Sequence, residues 1–442
     1  MHFRSLLALV LVVPLAPVTA AEQVVVPPKA RYWMSATTAN GMSMGGGMSQ
    51  ADMMKMALGQ SGGGGGAQKL LDLDLGSTLA PTGGGPKADA LIPPGMNMGA
   101  SLPLTTPVAK PAQRAPERED DDFERPKGKL LLFWGCSEKA RPGQPVVIDF
   151  AAMAAGQVPP NLFAGERVRV ARPPSSGNSK TFGEWPYGDK NPRSIPANAS
   201  LIGNQRVEGN YSPPISFELA QDWLAPLTLS GKGNAAGGQT LVWNAVPAAT
   251  GYAATMMGGG KSTSGEDSTT MVFWSSSDVQ TFISGLTDYL APAEVQRLIG
   301  KKMLMPPSQT QCAIPVEALK AVEGGIVSMV AHGPEINNVS PPRPADPKVP
   351  WVQDWVSRTR FRSTAGAMLA DGELMTSMGG GMGGGGGHAA AAGGVAPNAK
   401  CPPPASANPA EAVGGAIGGS LGSAMGSMFG GKKKKVDPNC PQ

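Results

Sequence analysis

Six methionines crowd one glycine-rich stretch, GMSMGGGMSQADMMKM: Met42, Met44, Met48, Met53, Met54 and Met56. Thioethers are soft ligands suited to Cu(I), so Met42, Met44, Met48, Met53 and Met56 are candidate metal ligands. No histidine or cysteine stands beside them to complete such a site, and methionine also serves as adaptable packing. Packing or low-complexity use is the preferred reading, with periplasmic Cu(I) binding as an alternative function. GGGKSTSG, Gly258 to Gly265, looks like a phosphate loop, but the Walker spacing needs a glycine where Thr255 stands.

Beyond the first twenty residues the histidines are His332 and His388. His332 sits in VAHGPE near Glu335, and His388 in a polyglycine tract. A histidine–carboxylate pair is by itself thin support for acid–base catalysis, so a structural hydrogen bond is expected of His332. Asp120-Asp121-Asp122 lacks the spaced ligands and turn glycine of a Ca²⁺ loop and reads as solvated linker. Arg358, Arg360 and Arg362 alternate with Ser357, Thr359 and Phe361. On a strand, three guanidinium groups then share one face, where they can meet phosphates or acidic glycans. A solvated outer sheet face is the commoner outcome. No H-E-x-x-H or S-x-x-K motif appears. A non-enzymatic role without a cofactor is expected, and a hydrolase with a dispersed site is the remaining alternative.

The elements that would carry these residues are strands. Leu71, Leu73 and Leu75 alternate with Asp72 and Asp74, as do Ile215, Phe217 and Leu219 with Ser216 and Glu218; both patterns fit half-buried strands. KLLLFWGC (129–136) and PVVIDF (145–150) read as buried strands separated by turn chemistry. Further strands are expected at Met271 to Trp274, Cys312 to Ile314, Ile326 to Ala331 and Trp355 to Phe361. From Asp278 to Met305 the reading is a helical hairpin. Val279, Phe282, Ile283, Leu286 and Leu290 share a helical face with Ser277 as N-cap, and Pro292 starts a second helix.

TLVWNAVPAATGY (240–252) resembles the B strand, turn and C strand of fibronectin type III-like modules. The resemblance implies an immunoglobulin-like sandwich with Trp243 in its core, spanning Leu227 to Gly366. Two features depart from it: the strand-F tyrosine is absent from GGIVSMVAHG, and the 278–305 insertion interrupts the module. ALIPPGM before KLLLFWGC and CAIPVEAL before GGIVSMVAHG form a faint internal echo, so the expectation is one or two sandwiches.

The ends of the chain point to a compartment. MHFRSLLALVLVVPLAPVTA has a basic n-region, a short apolar core and a small-residue cleavage site, which is a secretory leader. Export permits disulfides among Cys136, Cys312, Cys401 and Cys440, with the pairing open. The net charge of +4 is too small to argue for nucleic acid. Glycine (60) and proline (43) make up about a quarter of the chain, near the level that marks low complexity.

Near the C-terminus Gly414, Gly418, Gly422, Gly426 and Gly430 repeat every four residues beside Val413, Ile417, Leu421, Met425 and Phe429. On a helix this is a bare stripe beside a bulky ridge, the small-xxx-small logic of helix association. It resembles the glycine-zipper segments of bacterial envelope proteins. Glycine costs up to about 1 kcal/mol per residue in a helix relative to alanine, so the segment needs a membrane or partner helices. Lys432 to Lys435 can hold one end at an anionic surface.

The expected organisation is a leader (1–20), a β-rich region (28–172), a fibronectin III-like sandwich (196–366) with its helical insertion (278–305), a tether (375–411), a glycine-zipper helix (412–431) and a basic tail (432–442). The protein is expected to be mainly β and periplasmic or outer-membrane-associated. Its expected partners are membrane lipid or further copies through the tail, with an envelope protein or glycan on the core.

Overall fold

The computed structural model describes residues 23–41, 66–108, 128–157, 166–187, 194–260, 270–281, 285–370 and 372–375. The leader, Met42 to Met56, the 117–125 linker, residues 376–411 of the tether, Gly414 to Gly430 and the basic tail lie outside them.

The chain is mainly β, with strands β1 (Val25–Val26), β2 (Ala30–Gly41), β3 (Gln68–Ser77), β4 (Ala88–Leu91), β5 (Ser101–Pro103), β6 (Lys129–Trp134) and β7 (Val146–Asp149) in the first part. There follow β8 (Thr181–Trp185), β9 (Ser194–Ile195), β10 (Gly203–Gly209), β11 (Ile215–Leu219), β12 (Leu229–Gly233), β13 (Gln239–Trp243) and β14 (Gly251–Gly260). The last are β15 (Thr270–Ser275), β16 (Gln311–Ile314), β17 (Val322–Ser340), β18 (Trp351–Val352), β19 (Trp355–Ala370) and β20 (Glu373–Met375). An 11-stranded sheet runs β7-β6-β15-β14-β17-β19-β2-β3-β8, with β9 beside β3 and β20 beside β19. Two smaller sheets, β11-β10-β4-β5 and β12-β13-β16, complete the core, and β1 pairs with β18.

Alternation explains why the large sheet has two distinct faces. Leu73, Met34 and Thr359 are in register across β3, β2 and β19, and Ala365, Met329 and Ala254 across β19, β17 and β14; by alternation these side chains point to one side. With the inward residues of the small sheets they form one continuous core, in which Tyr32 meets Phe217 (centroids 6.4 Å apart) and Trp243 meets Tyr252 (5.6 Å). Burying a large apolar side chain contributes about 1.5–3 kcal/mol, so this core is what holds the two layers together. A disulfide, Cys136–Cys312, adds a covalent tie from the end of β6 to β16 across 176 residues of sequence.

Strands from early and late sequence interleave in the large sheet. β2 pairs in parallel with β19, and β6 in parallel with β15. The central hairpin, β17 and β19, is longer than the sequence pattern predicts, with 19 and 16 residues. A bulge lies between His332 and Glu335. There Gly333 passes so close to β19 that a Cβ would sit 2.6 Å from the Phe361 carbonyl oxygen.

The outer face is covered in places. Helix α1 (Phe150–Ala154), capped by Asp149, closes a cluster with Leu130, Leu132, Ile148 and Phe273. Helix α2 (Pro292–Gly300) buries Val295 and Leu298 against Ala253. A short α3 (Val316–Ala321) leads into β17.

The expected helical hairpin is corrected to this single helix. Proline starts α2 as predicted, but no described residue between Asp278 and Ala291 is helical; Phe282 and Ile283 of the expected face lie outside the described residues. Gly285 has φ +94°, and Leu286 and Thr287 give their carbonyls to His332 and Arg362 instead of to a helix. Ser277 makes a local turn, its hydroxyl accepting from the Val279 N–H.

At the N-terminal end Gln23 is buried. Its amide donates to the carbonyls of Pro344, Asp346 and Val349, and Arg343 donates to its oxygen. No helix among the described residues is long and apolar enough to cross a membrane.

Candidate functional site: an arginine–aromatic ladder

The three arginines read from the sequence are on one outer face of β19, as alternation requires. Register fixes their neighbours. Across β2, Arg358 faces Trp33, Arg360 faces Ser35 and Arg362 faces Thr37; across β17, Arg358 faces Asn337, Arg360 faces Glu335 and Arg362 faces His332. The next strand, β3, brings Asp74 level with Trp33 and Asp72 level with Ser35.

This face is not a solvated one. Arg358 lies 4.4 Å and Arg360 4.6 Å from the Trp33 ring centroid. Arg360 also lies 4.4 Å, and Arg362 4.2 Å, from Tyr289 in the loop before α2. Two rings are thus shared by three guanidinium groups. Such contacts contribute from about 0.5 kcal/mol when exposed to 2 or more when desolvated. Trp33 is 6% exposed and Arg360 9%, so the middle of the ladder is at the desolvated end of that range.

Hydrogen bonds fix the guanidinium edges. Arg360 donates to the Ser35 hydroxyl from Nε (3.0 Å) and Nη2 (2.9 Å). Arg362 donates from Nε to the Thr37 hydroxyl (3.1 Å) and from Nη1 to the Thr287 carbonyl (3.0 Å). Thr37 and Tyr289 share a hydroxyl–hydroxyl bond. Burial pulls the Arg360 pKa below its usual value, and the charges of Tyr289, Asp74 and Glu335 oppose that pull. Burial likewise raises the Tyr289 phenol, against the influence of Arg362.

Arg358 is more open. Its side chain is 29% exposed and reaches Glu335 at 3.6 Å. With both rings and several N–H groups committed further in, the ladder can offer an external anion the outward donors of Arg358. Carboxylates on the same face make it a mixed surface, unsuited to a long polyanion.

His332 is not the partner of Glu335. It is 1% exposed, and its Nε2 lies 2.9 Å from the Leu286 carbonyl. Burial pushes its pKa down to about 4, with a further contribution from Arg362. A neutral imidazole that donates to a backbone carbonyl pins the 285–290 loop and so positions Tyr289. Among the described residues no His, Cys, Asp and Glu side chains gather in a way that would hold a metal ion. The methionine candidates Met42, Met44, Met48, Met53 and Met56 and the glycine stripe Gly414, Gly418, Gly422, Gly426 and Gly430 lie outside the described residues.

Sequence reasoning misses Trp33, Ser35, Thr37 and Tyr289 as members of this site. Trp33, Ser35 and Thr37 reach it through the pairing of β2 with β19, which joins residues more than 300 positions apart, and Tyr289 through the loop before α2. No protein-family model matches the chain, and comparison with curated proteins and with solved structures returns no match.

Proposed function

We propose that the protein is exported to the cell envelope, periplasmic or outer-membrane-associated, and works there as a non-enzymatic binding or structural module whose C-terminal segment associates with membrane or with copies of itself. The observation that carries this reading is the Cys136–Cys312 disulfide. Such bonds persist in oxidising compartments and are rare in the cytosol, which agrees with the leader-like first twenty residues. The test is cell fractionation of the intact protein and of a form lacking residues 411–435, with thiol alkylation before and after reduction. Export predicts an envelope fraction with Cys136 and Cys312 blocked until reduced. A cytosolic, freely alkylated protein refutes it. Equal flotation of the two forms with membranes removes the anchoring role of the tail.

The 227–366 region is read as a fibronectin III-like module. What supports this is strand order: β12-β13-β16 in one small sheet, and β15-β14-β17-β19 within the large one. This corresponds to A-B-E facing C′-C-F-G, the arrangement of a variable-type sandwich that lacks some edge strands. Trp243 and Tyr252 sit on either side of the crossing, and the tyrosine hydroxyl accepts from the Val246 N–H at 2.9 Å.

A second reading is favoured by the ladder: the core contacts an acidic group, such as a uronate or phosphate of an envelope glycan, through Arg358. Retention on an immobilised acidic glycan at low salt, lost in Arg358→Gln, tests it. Equal retention of both proteins rejects it.

A further inference from the structure

The outer face of the large sheet changes character along β19. Beyond Arg362 the outward residues are Thr364, Gly366 and then Met368. Register places Met257 (β14), Ile326 (β17), Met368 (β19) and Met375 (β20) in one row, with Met271 on β15 opposite Gly259. One end of the row is anchored, since Met257 and Met271 pack against the cluster under α1. Exposure then rises: Met257 and Ile326 are half-buried, Met368 is 41% exposed and Met375 47%. Beside the row, a Cβ on Gly259 would meet nothing within 4 Å among the described residues. The result is an apolar shelf at the end of the sheet where the described chain leaves it.

We propose that this shelf is the docking site for the chain's own C-terminal segment, Val413 to Phe429. Continuity is the first argument. The chain departs from Met375, itself a shelf residue, and about 37 residues separate it from Val413; a Gly-rich chain of that length has a root-mean-square reach of roughly 33 Å. The segment is therefore presented to the shelf at an effective concentration on the order of millimolar. Chemistry is the second. Val413, Ile417, Leu421, Met425 and Phe429 form the apolar ridge that the segment must remove from water, and methionine surfaces adapt to such ridges. Charge is the third. Lys432 to Lys435 follow the ridge; the exposed carboxylate of Glu373 lies on the same face of β20 as Met375, and the exposed Glu323 adjoins Gly324 at the register shift near the start of β17, neither forming an ion pair among the described residues. A docked tail is withheld from membrane, so the core competes with the bilayer for one segment.

The test compares the full chain with a variant ending at Ala410, which keeps every described residue. Methionine oxidation by dilute peroxide is followed by peptide mass spectrometry. Met368 and Met375 should oxidise about fivefold or more slowly in the full chain, as a millimolar effective concentration allows. The double variant Leu421→Glu, Phe429→Glu should lose that protection. Zero-length carbodiimide coupling should join Lys432–Lys435 to Glu323 or Glu373 within a monomer. Equal oxidation with and without the tail overturns the proposal. Protection that grows with protein concentration assigns the shelf to a second copy and also overturns it, as does protection seen only with anionic phospholipid vesicles. Flotation reads membrane association separately, so the tail can fail to float while shelf protection persists, and the reverse.

Discussion

Between Arg358 and Arg362, β19 lays its outward side chains against Trp33 and Tyr289; further along the same strand, Met368 lays its own against solvent. The backbone geometry and alternation are the same in both places. What differs is the neighbour. Along the ladder, β2 supplies Trp33, Ser35 and Thr37, and the 285–290 loop supplies Tyr289. Opposite Gly366, β2 ends at Gly41, where φ is +65° and a Cβ would lie 2.5 Å from the Gly366 carbonyl oxygen. Only glycine fits there. Beyond that point the short β20 takes the place beside β19 and supplies Met375. One strand therefore carries a sealed polar structure and an open apolar one, and the partner strand decides which.

Trp33→Ala should break the sealed end most severely. It removes a buried ring shared by Arg358 and Arg360, and the cost expected for such a truncation is about 3–5 kcal/mol, measured as a shift in denaturant midpoint. The effect of acid is next. Unfolded histidine takes up its proton near 6.5, and the buried His332 near 4. Stability is full above the higher value and falls as pH drops through the window, because the unfolded chain binds the proton first. The loss is roughly 3 kcal/mol by pH 4. His332→Gln should flatten that part of the profile in a pH series of urea melts; an unchanged slope would show that other groups set it.

Arg360→Lys keeps the charge but loses the planar stack and the paired donation to Ser35. About 1–2 kcal/mol of destabilisation is expected, and it should persist in 1 M salt because the site is desolvated. The smallest effect belongs to the open end. Met368→Ser should change the stability of the chain ending at Ala410 by no more than about 0.5 kcal/mol. A large loss there would mean that the shelf is part of the core, and the contrast between the two ends would collapse.

Much of the layer structure is legible in local pattern. Leu71, Leu73 and Leu75 alternate with aspartates because one face of β3 meets the core and the other meets the polar ladder side. β2 is not legible in the same way. In ARYWMSATTA both faces are buried, with Tyr32 and Met34 toward the core and Trp33, Ser35 and Thr37 beneath the arginines and Tyr289, so the polar–apolar alternation disappears. The helix expected around Leu286 fails for a related reason. Its apolar spacing is real, and Leu286 and Leu290 are buried, but tertiary partners claim the carbonyls that a helix would use. The disulfide joins two strands far apart in sequence, and nothing local distinguishes Cys136–Cys312 from the other pairings.

The N-terminal clamp at Gln23 and the exit at Met375 lie at opposite ends of β19. Sixteen residues of strand, at about 3.3 Å each, separate them by roughly 50 Å. A molecule held by its tail would therefore stand off from whatever holds it, with the arginine end projecting outward like the head of a pin. The length of one strand, together with the reach of the residues between Met375 and Val413, would then set the height at which that head meets the surroundings.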